Sequence, residues 1–155
     1  MSIVTIGGID PRDGRYYSYV ETYGGGQGAS ADGAGADATH THMTNTRNTP
    51  CEVIEREYPL RAERYEIARG TGGAGAHRGG DGLVRTLTLA HGEATVVAAT
   101  SRVTTAPWGL HGGADGTPGE VLRDGETVAS MSRFDLSAGE TVTIRTAGGG
   151  GYGLG

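Results

Sequence analysis

Thirty of the 155 residues are glycine, and they are gathered into runs at Gly24 to Gly26, Gly70 to Gly82, Gly109 to Gly119 and Gly148 to Gly155. Average usage is roughly 7%, so this clustering is the first constraint on what the chain can fold into. A disordered, low-complexity tract is one reading. Against it, the segments between the runs alternate apolar and polar residues and carry β-branched or aromatic side chains, which a solvated tract does not need. No window shows the sustained apolar stripe of a helix longer than two turns.

The alternation predicts strands at Arg15 to Thr22, Cys51 to Tyr58, Arg64 to Arg69, Leu83 to Leu89, Ala94 to Thr100, Glu126 to Met131 and Thr141 to Thr146. In LVRTLTL, Leu83, Arg85, Leu87 and Leu89 share one face, with Val84, Thr86 and Thr88 on the other. His91-Gly92 and Asp124-Gly125 are tight-turn dipeptides that suit hairpins. The expected fold is mainly β, a twisted antiparallel sheet or β-sandwich with glycine-rich loops and little helix. One module spans residues 1–155, with 1–50 a glycine-rich loop and motif region and 51–155 a β-rich region. Its length and 35% apolar content suit a single modest core.

Charge and composition exclude several function classes. The 13 basic residues are all arginine and the net charge is −5, without runs of one sign, which opposes nucleic-acid binding and an anionic membrane surface. With no lysine there is no Schiff-base or phosphate-loop lysine. Nothing approaches the ~20 apolar residues of a membrane helix, and the start MSIVTIGGIDPRDG lacks a signal-peptide pattern. Cys51 is the sole cysteine, which rules out an internal disulfide and fits a cytoplasmic location. It follows Pro50 without an adjacent histidine, so it is expected as a small buried hydrophobe rather than a nucleophile.

The stretch Thr39 to Pro59, THTHMTNTRNTPCEVIEREYP, carries the densest chemistry. His40 and His42 would share one face of a strand and are the weak candidates for a metal, with Asp32, Asp37, His77 or His111 as a third ligand. Hydrogen-bonded scaffold is the competing role. Asn45, Arg47 and Asn48 either satisfy loop backbone or contact a substrate. The glycine runs either pack backbone closely or present amides to an anion, with Arg78 as the accompanying charge. GTGGAGAHRGGDG leads into a strand rather than a helix, unlike a dinucleotide loop. Trp108, in APWGLHGG, is expected to cap a core or an interface.

Four ordered segments, HMTNTRNTPCEVIEREYPLRAERYEI, GTGGAGAHRGGDGLVR, PWGLHGG and TAGGGGYG, resemble the C-terminal part of the hydantoinase B/oxoprolinase family. That family supplies large subunits of ATP-dependent hydantoinases and 5-oxoprolinases and is related to acetone and acetophenone carboxylase subunits. The resemblance implies a split C-terminal module of an enzyme that opens a cyclic amide through a phosphorylated intermediate. A related ketone carboxylase, or a structural and binding module without chemistry, is the alternative. It also implies two partners: a hydantoinase A-type subunit that binds ATP, and a chain supplying the missing N-terminal B-type portion. ATP and a divalent metal would be bound by those partners and by nothing in this chain alone. His42, Asn45, Thr46, Asn48 and Pro50 match the H-M-T-N-T-x-N-T-P pattern, while Gly72, Gly73, Gly75, Arg78, Gly79 and Gly80 match G-G-A-G-x-x-R-G-G. The residues expected to bind substrate or support the site are His42, Asn45, Asn48 and Arg78; catalytic residues are not assigned. Ala147 stands where the family commonly has proline.

Overall fold

A computed structural model describes residues 1–41 and 44–155. Its strands form two antiparallel sheets facing each other across one core, so the mainly β, sandwich expectation holds. The four-stranded sheet has the order β2-β1-β5-β8, built from β1 (Ser2–Ile9), β2 (Tyr16–Tyr23), β5 (Glu93–Thr100) and β8 (Met131–Ser137). The five-stranded sheet runs β3-β4-β9-β6-β7, from β3 (Leu60–Ala68), β4 (Gly82–Leu89), β9 (Thr141–Arg145), β6 (Glu120–Arg123) and β7 (Glu126–Val128). Val4 and Ile6 of β1, Val96 of β5, Leu87 and Leu89 of β4 and Ile144 of β9 meet between the sheets. The face shared by Leu83, Arg85, Leu87 and Leu89 is the core face.

Four sequence expectations are corrected. The strand expected from Glu126 to Met131 is divided: β7 ends at Val128 in the five-stranded sheet, and Met131 begins β8 in the other, because the chain crosses between layers at Ala129 and Ser130. The segment expected as a strand from Cys51 to Tyr58 is α1 (Cys51–Glu57). Pro50 starts it, its carbonyl accepting from Val53 and Ile54 N–H, and Glu52 in the first turn with Arg56 in the last complements the helix dipole. Pro59 follows at once and ends it. Only Ile54 is fully buried in this short helix, so no periodic stripe was available to read. Cys51 is exposed, not a buried hydrophobe. His91-Gly92 is a turn, but β4 and β5 lie in different sheets, so it forms a corner between layers rather than a hairpin.

Asp124-Gly125, by contrast, joins a true hairpin, β6 with β7; both residues have positive φ, as a two-residue turn of this hand requires. β1 was not expected at all, because Gly7 and Gly8 interrupt its alternation. It is nonetheless central, paired with β2 on one side and β5 on the other.

Beside the sandwich, the glycine-rich segments pack as a second body of extended backbone. Gly148 to Gly151 run buried through its middle. A methyl added at Gly148 would overlap the Thr71 carbonyl, at Gly149 that of Gln27, at Gly150 that of Trp108, and at Gly151 that of Ala74. Contact thus returns to the segment holding Thr71 and Ala74 after three residues, the period of a polyproline-II helix. Hydrogen bonds radiate likewise: Gly73 N–H donates to Gly149, Gly149 N–H to Gly80, Ala29 N–H to Gly150 and Gly151 N–H to Ala114. Close backbone packing is therefore the principal use of these glycines.

Candidate functional site

The Thr39 to Pro50 segment leaves the glycine bundle through a bridge between Thr39 and Gly25 and then runs to α1. It is pinned to β2 by the Thr22 and Thr46 hydroxyls, 2.7 Å apart. His40 is half-buried, its Nδ1 3.0 Å from the Thr44 hydroxyl, the scaffold contact that competes with metal ligation. Among the described residues, no three His, Cys, Asp or Glu side chains converge as a metal site. His42 lies outside the described residues.

A cleft of about 360 Å³ opens beside this segment. Thr39, Thr41 and Thr44 form one wall, Gly26 and Gly148 of the bundle another, and Ser101 with Arg102 a third. Arg102 has a positive φ of 60° and lays its guanidinium over the Trp108 ring, 4.3 Å from the centroid. Among the described residues, no aspartate, glutamate or histidine lines the cleft. The described lining can therefore hold a polar or anionic group with hydroxyls, backbone and one guanidinium.

The other expected site residues sit apart from this cleft. Asn45 and Asn48 are exposed. Near Asn48, the Tyr65 hydroxyl has its pKa raised by burial, with Glu21 adding to the rise and Arg85 and Asn48 opposing it. Arg78 does not line the cleft. Its fork donates to Asp81 at 2.8 Å and to Asp37 at 3.0 Å, and Asp37 also accepts from Arg69 at 3.0 Å. Burial would raise the pKa of Asp81, but donation from the Gly72 and Gly70 amides and from Arg78 outweighs it and holds the carboxyl below its ordinary range. This knot ties the segments around residues 37, 72 and 81 together.

The sequence reading missed Arg102 and Ser101. The available signal was weak: an arginine in the loop TSRVTTAPW, ahead of the sole tryptophan. Trp108 is 58% exposed, its face covered by Arg102.

A family model described as hydantoinase B/oxoprolinase matches residues 1–154. The chain belongs to that family. Among relatives of this hydantoinase B chain, an uncharacterised protein of Methanocaldococcus jannaschii is 42% identical over 144 residues, covering 90% of this chain and 25% of the relative. 5-Oxoprolinase 1 of Arabidopsis thaliana is 37% identical over 142 residues, covering 88% of this chain and 11% of its own length. The ATP-dependent caprolactamase of Pseudomonas jessenii has a TM-score of 0.73 at 25% identity, over 97% of this chain and 28% of that one. A nucleotide-free acetone carboxylase shares the fold, with a TM-score of 0.70 at 16% identity, over 99% and 25%. The chain thus spans between about a tenth and a quarter of the length of these relatives. Among the described residues no helix is long and apolar enough to cross a membrane.

Proposed function

We propose that this chain is a module of an ATP-dependent enzyme that opens a cyclic amide, of the hydantoinase and 5-oxoprolinase type. The family match over residues 1–154 carries the reading. Relatives named 5-oxoprolinase and the fold likeness to a caprolactamase support the cyclic amide as substrate class. An amide carbon is a poor electrophile; transferring the γ-phosphoryl group of ATP to its oxygen makes the carbon open to attack by water. A hydantoinase A-type subunit performs that transfer in this proposal, and the remainder of a B-type subunit completes the site. ATP and a divalent metal are assigned to those partners.

This chain's own part is to hold and orient. His42, Asn45 and Asn48 offer hydrogen bonds to carbonyl or phosphoryl oxygens, Arg78 fixes the glycine segments through Asp37 and Asp81, and the cleft at Arg102 receives a polar group. A ketone carboxylase is the second reading, favoured by the fold shared with acetone carboxylase. A scaffold without chemistry is the third, favoured by the engagement of Arg78 in internal ion pairs.

The deciding experiment reconstitutes the chain with both partners and follows ADP release with hydantoin, 5-oxoproline or caprolactam, and separately with acetone and bicarbonate. Ring-opened product formed only when this chain is present is the expected result. Carboxylated ketone instead selects the second reading, and turnover independent of this chain selects the third.

A further inference from the structure

The sandwich has two outer faces, and they are built from different materials. On the five-stranded sheet, the rows are Glu66, Val84, Arg145, Glu120 and Arg64, Thr86, Thr143, Leu122, Thr127. Arg145 pairs with Glu120 at 3.0 Å, Arg64 pairs with Glu66, and the Thr86 and Thr143 hydroxyls are 2.9 Å apart. That face satisfies its own polar groups and suits water.

On the four-stranded sheet, register sets Ile9 against Tyr16, Thr5 between Val20 and Val97, and Ile3 beside Ala99 and Met131. Tyr16 is 71% exposed and Met131 79%; Ile9, Val20 and Val97 are also exposed. Arg133 stands in the row of Val97 and has no ion-pair partner among the described residues. A groove of about 440 Å³ runs over Gly7, walled by Thr5, Ile9, Tyr16, Val97 and Arg133. At Gly7 the Tyr16 hydroxyl lies 2.9 Å from where a Cβ would stand, so the Tyr16 ring leans over the missing side chain and forms part of the apolar surface.

We infer that this outer face of β2-β1-β5-β8 is the seat of an apolar layer from the rest of a hydantoinase B-type body. The layer would lay apolar side chains over Ile9, Tyr16, Val20 and Val97 and a carboxylate opposite Arg133. The inference rests on the proposed function, in which that remainder is a partner. Three observations select this occupant. The match covers only 25% of the Methanocaldococcus relative and 11% of the Arabidopsis one, so most of each relative lies outside the matched region and must pack somewhere. Tyr65 aside, the exposed large apolar side chains of the two sheets, Ile9, Tyr16, Val20, Val97 and Met131, gather on this face, as a layered fold requires. Four strands spaced ~4.8 Å, each about 26 Å long, give a face of only about 500 Å², short of the ~800 Å² per partner of a stable two-chain interface. A second copy alone would therefore be held weakly. A large body that touches the module elsewhere as well would not.

The test co-expresses the chain with the part of the Methanocaldococcus relative outside the matched quarter and measures retention on the tagged chain, with hydrogen exchange on any complex. Val97→Asp and Val20→Arg are compared with Thr127→Arg on the opposite face, each checked for folding by circular dichroism. The expected result is at least tenfold weaker retention for the first two, unchanged retention for the third, and exchange protection over β1 and β5. Retention of Val97→Asp and Val20→Arg equal to wild type overturns the face while leaving the proposed function standing. No retention of the wild-type chain overturns the inference, while ring-opening turnover in the reconstitution above decides the proposed function separately. Light scattering of the chain alone gives a second readout: a dimer abolished by Val97→Asp would make the occupant a second copy and overturn the inference.

Discussion

Leu87, Ile144 and Val96 fill the space between the sheets with side chains, whereas Gly148 to Gly151 bring backbone directly against backbone. The sandwich core is cohesive through apolar burial and dispersion, and it can re-pack when a side chain changes shape. The glycine bundle has almost no side chains to bury. Its cohesion is hydrogen bonding between segments that radiates in several directions, and each contact depends on the absence of a Cβ. One region is specified by what its side chains are, the other by their absence.

The sharpest way to break this contrast is Gly149→Ala. The added methyl would collide with the Gln27 carbonyl and with Gly28 N, all backbone atoms. No rotamer can relieve that, so the cost should exceed the roughly 1–3 kcal/mol of ordinary overpacking and abolish a cooperative thermal transition. A variant that melts like the parent would show the bundle to be far softer than its contacts imply.

Next is Arg85→Met. The Arg85 guanidinium, 2% exposed, joins the two sheets through Glu21 at 3.3 Å and lies over the Tyr65 ring. Among the described residues, Glu21 Oε1, Arg85 Nη2 and the Tyr19 and Tyr23 hydroxyls find no hydrogen-bond partner. Removing one charge strands the other, which costs about 3–5 kcal/mol. Denaturant unfolding should show that loss, and Glu21→Leu added to Arg85→Met should recover most of it. Failure to recover would mean that the ion pair itself, rather than the stranded charge, matters to the sandwich.

A third comparison uses acid. The carboxyl of Asp81 sits below its ordinary pKa of 3.8 when folded, because Gly72, Gly70 and Arg78 donate to it against the penalty of burial. A folded pKa lower than the unfolded one adds stability above the unfolded value and loses it as pH falls through the folded value. The bundle amides of Gly72 and Gly73 should thus exchange faster as pH drops below about 3.8, once intrinsic rates are allowed for. Asp81→Asn should remove that acid-dependent step at the cost of a looser bundle at neutral pH. The same step persisting in the variant would move its origin elsewhere.

The smallest effect is expected at Gly33, where an added methyl meets nothing within 4 Å and φ is not in the left-handed region. Gly33→Ala should be neutral or stabilising by up to about 1 kcal/mol, by restricting the unfolded chain. With Gly149→Ala it tests whether glycine content or glycine position governs the bundle.

Much of the sandwich was legible because alternation is a local signal: β4 reads directly from LVRTLTL, and Asp124-Gly125 marks its hairpin without help. α1 was not legible, since one buried residue, Ile54, gives no period and Val53-Ile54 suits a strand equally well. Of the site, the wall of Thr39, Thr41 and Thr44 lay in the segment the sequence singled out, but its opposite wall at Ser101 and Arg102 lay far along the chain with no local mark. Arg78 was visible as a charge among glycines; its engagement by Asp37 and Asp81 was not, because the Asp37 contact spans 41 positions.

Sequence alone determined the β class and the lack of a long apolar helical stripe, because alternation and periodicity are properties of residues and their near neighbours. Tertiary structure decided which sheet each strand joins, which of two turn dipeptides closes a hairpin, which backbone faces Gly148 to Gly151, and that Thr41 and Arg102 share a cleft. Those outcomes depend on how distant segments settle around one core, and no local pattern encodes the distance between them.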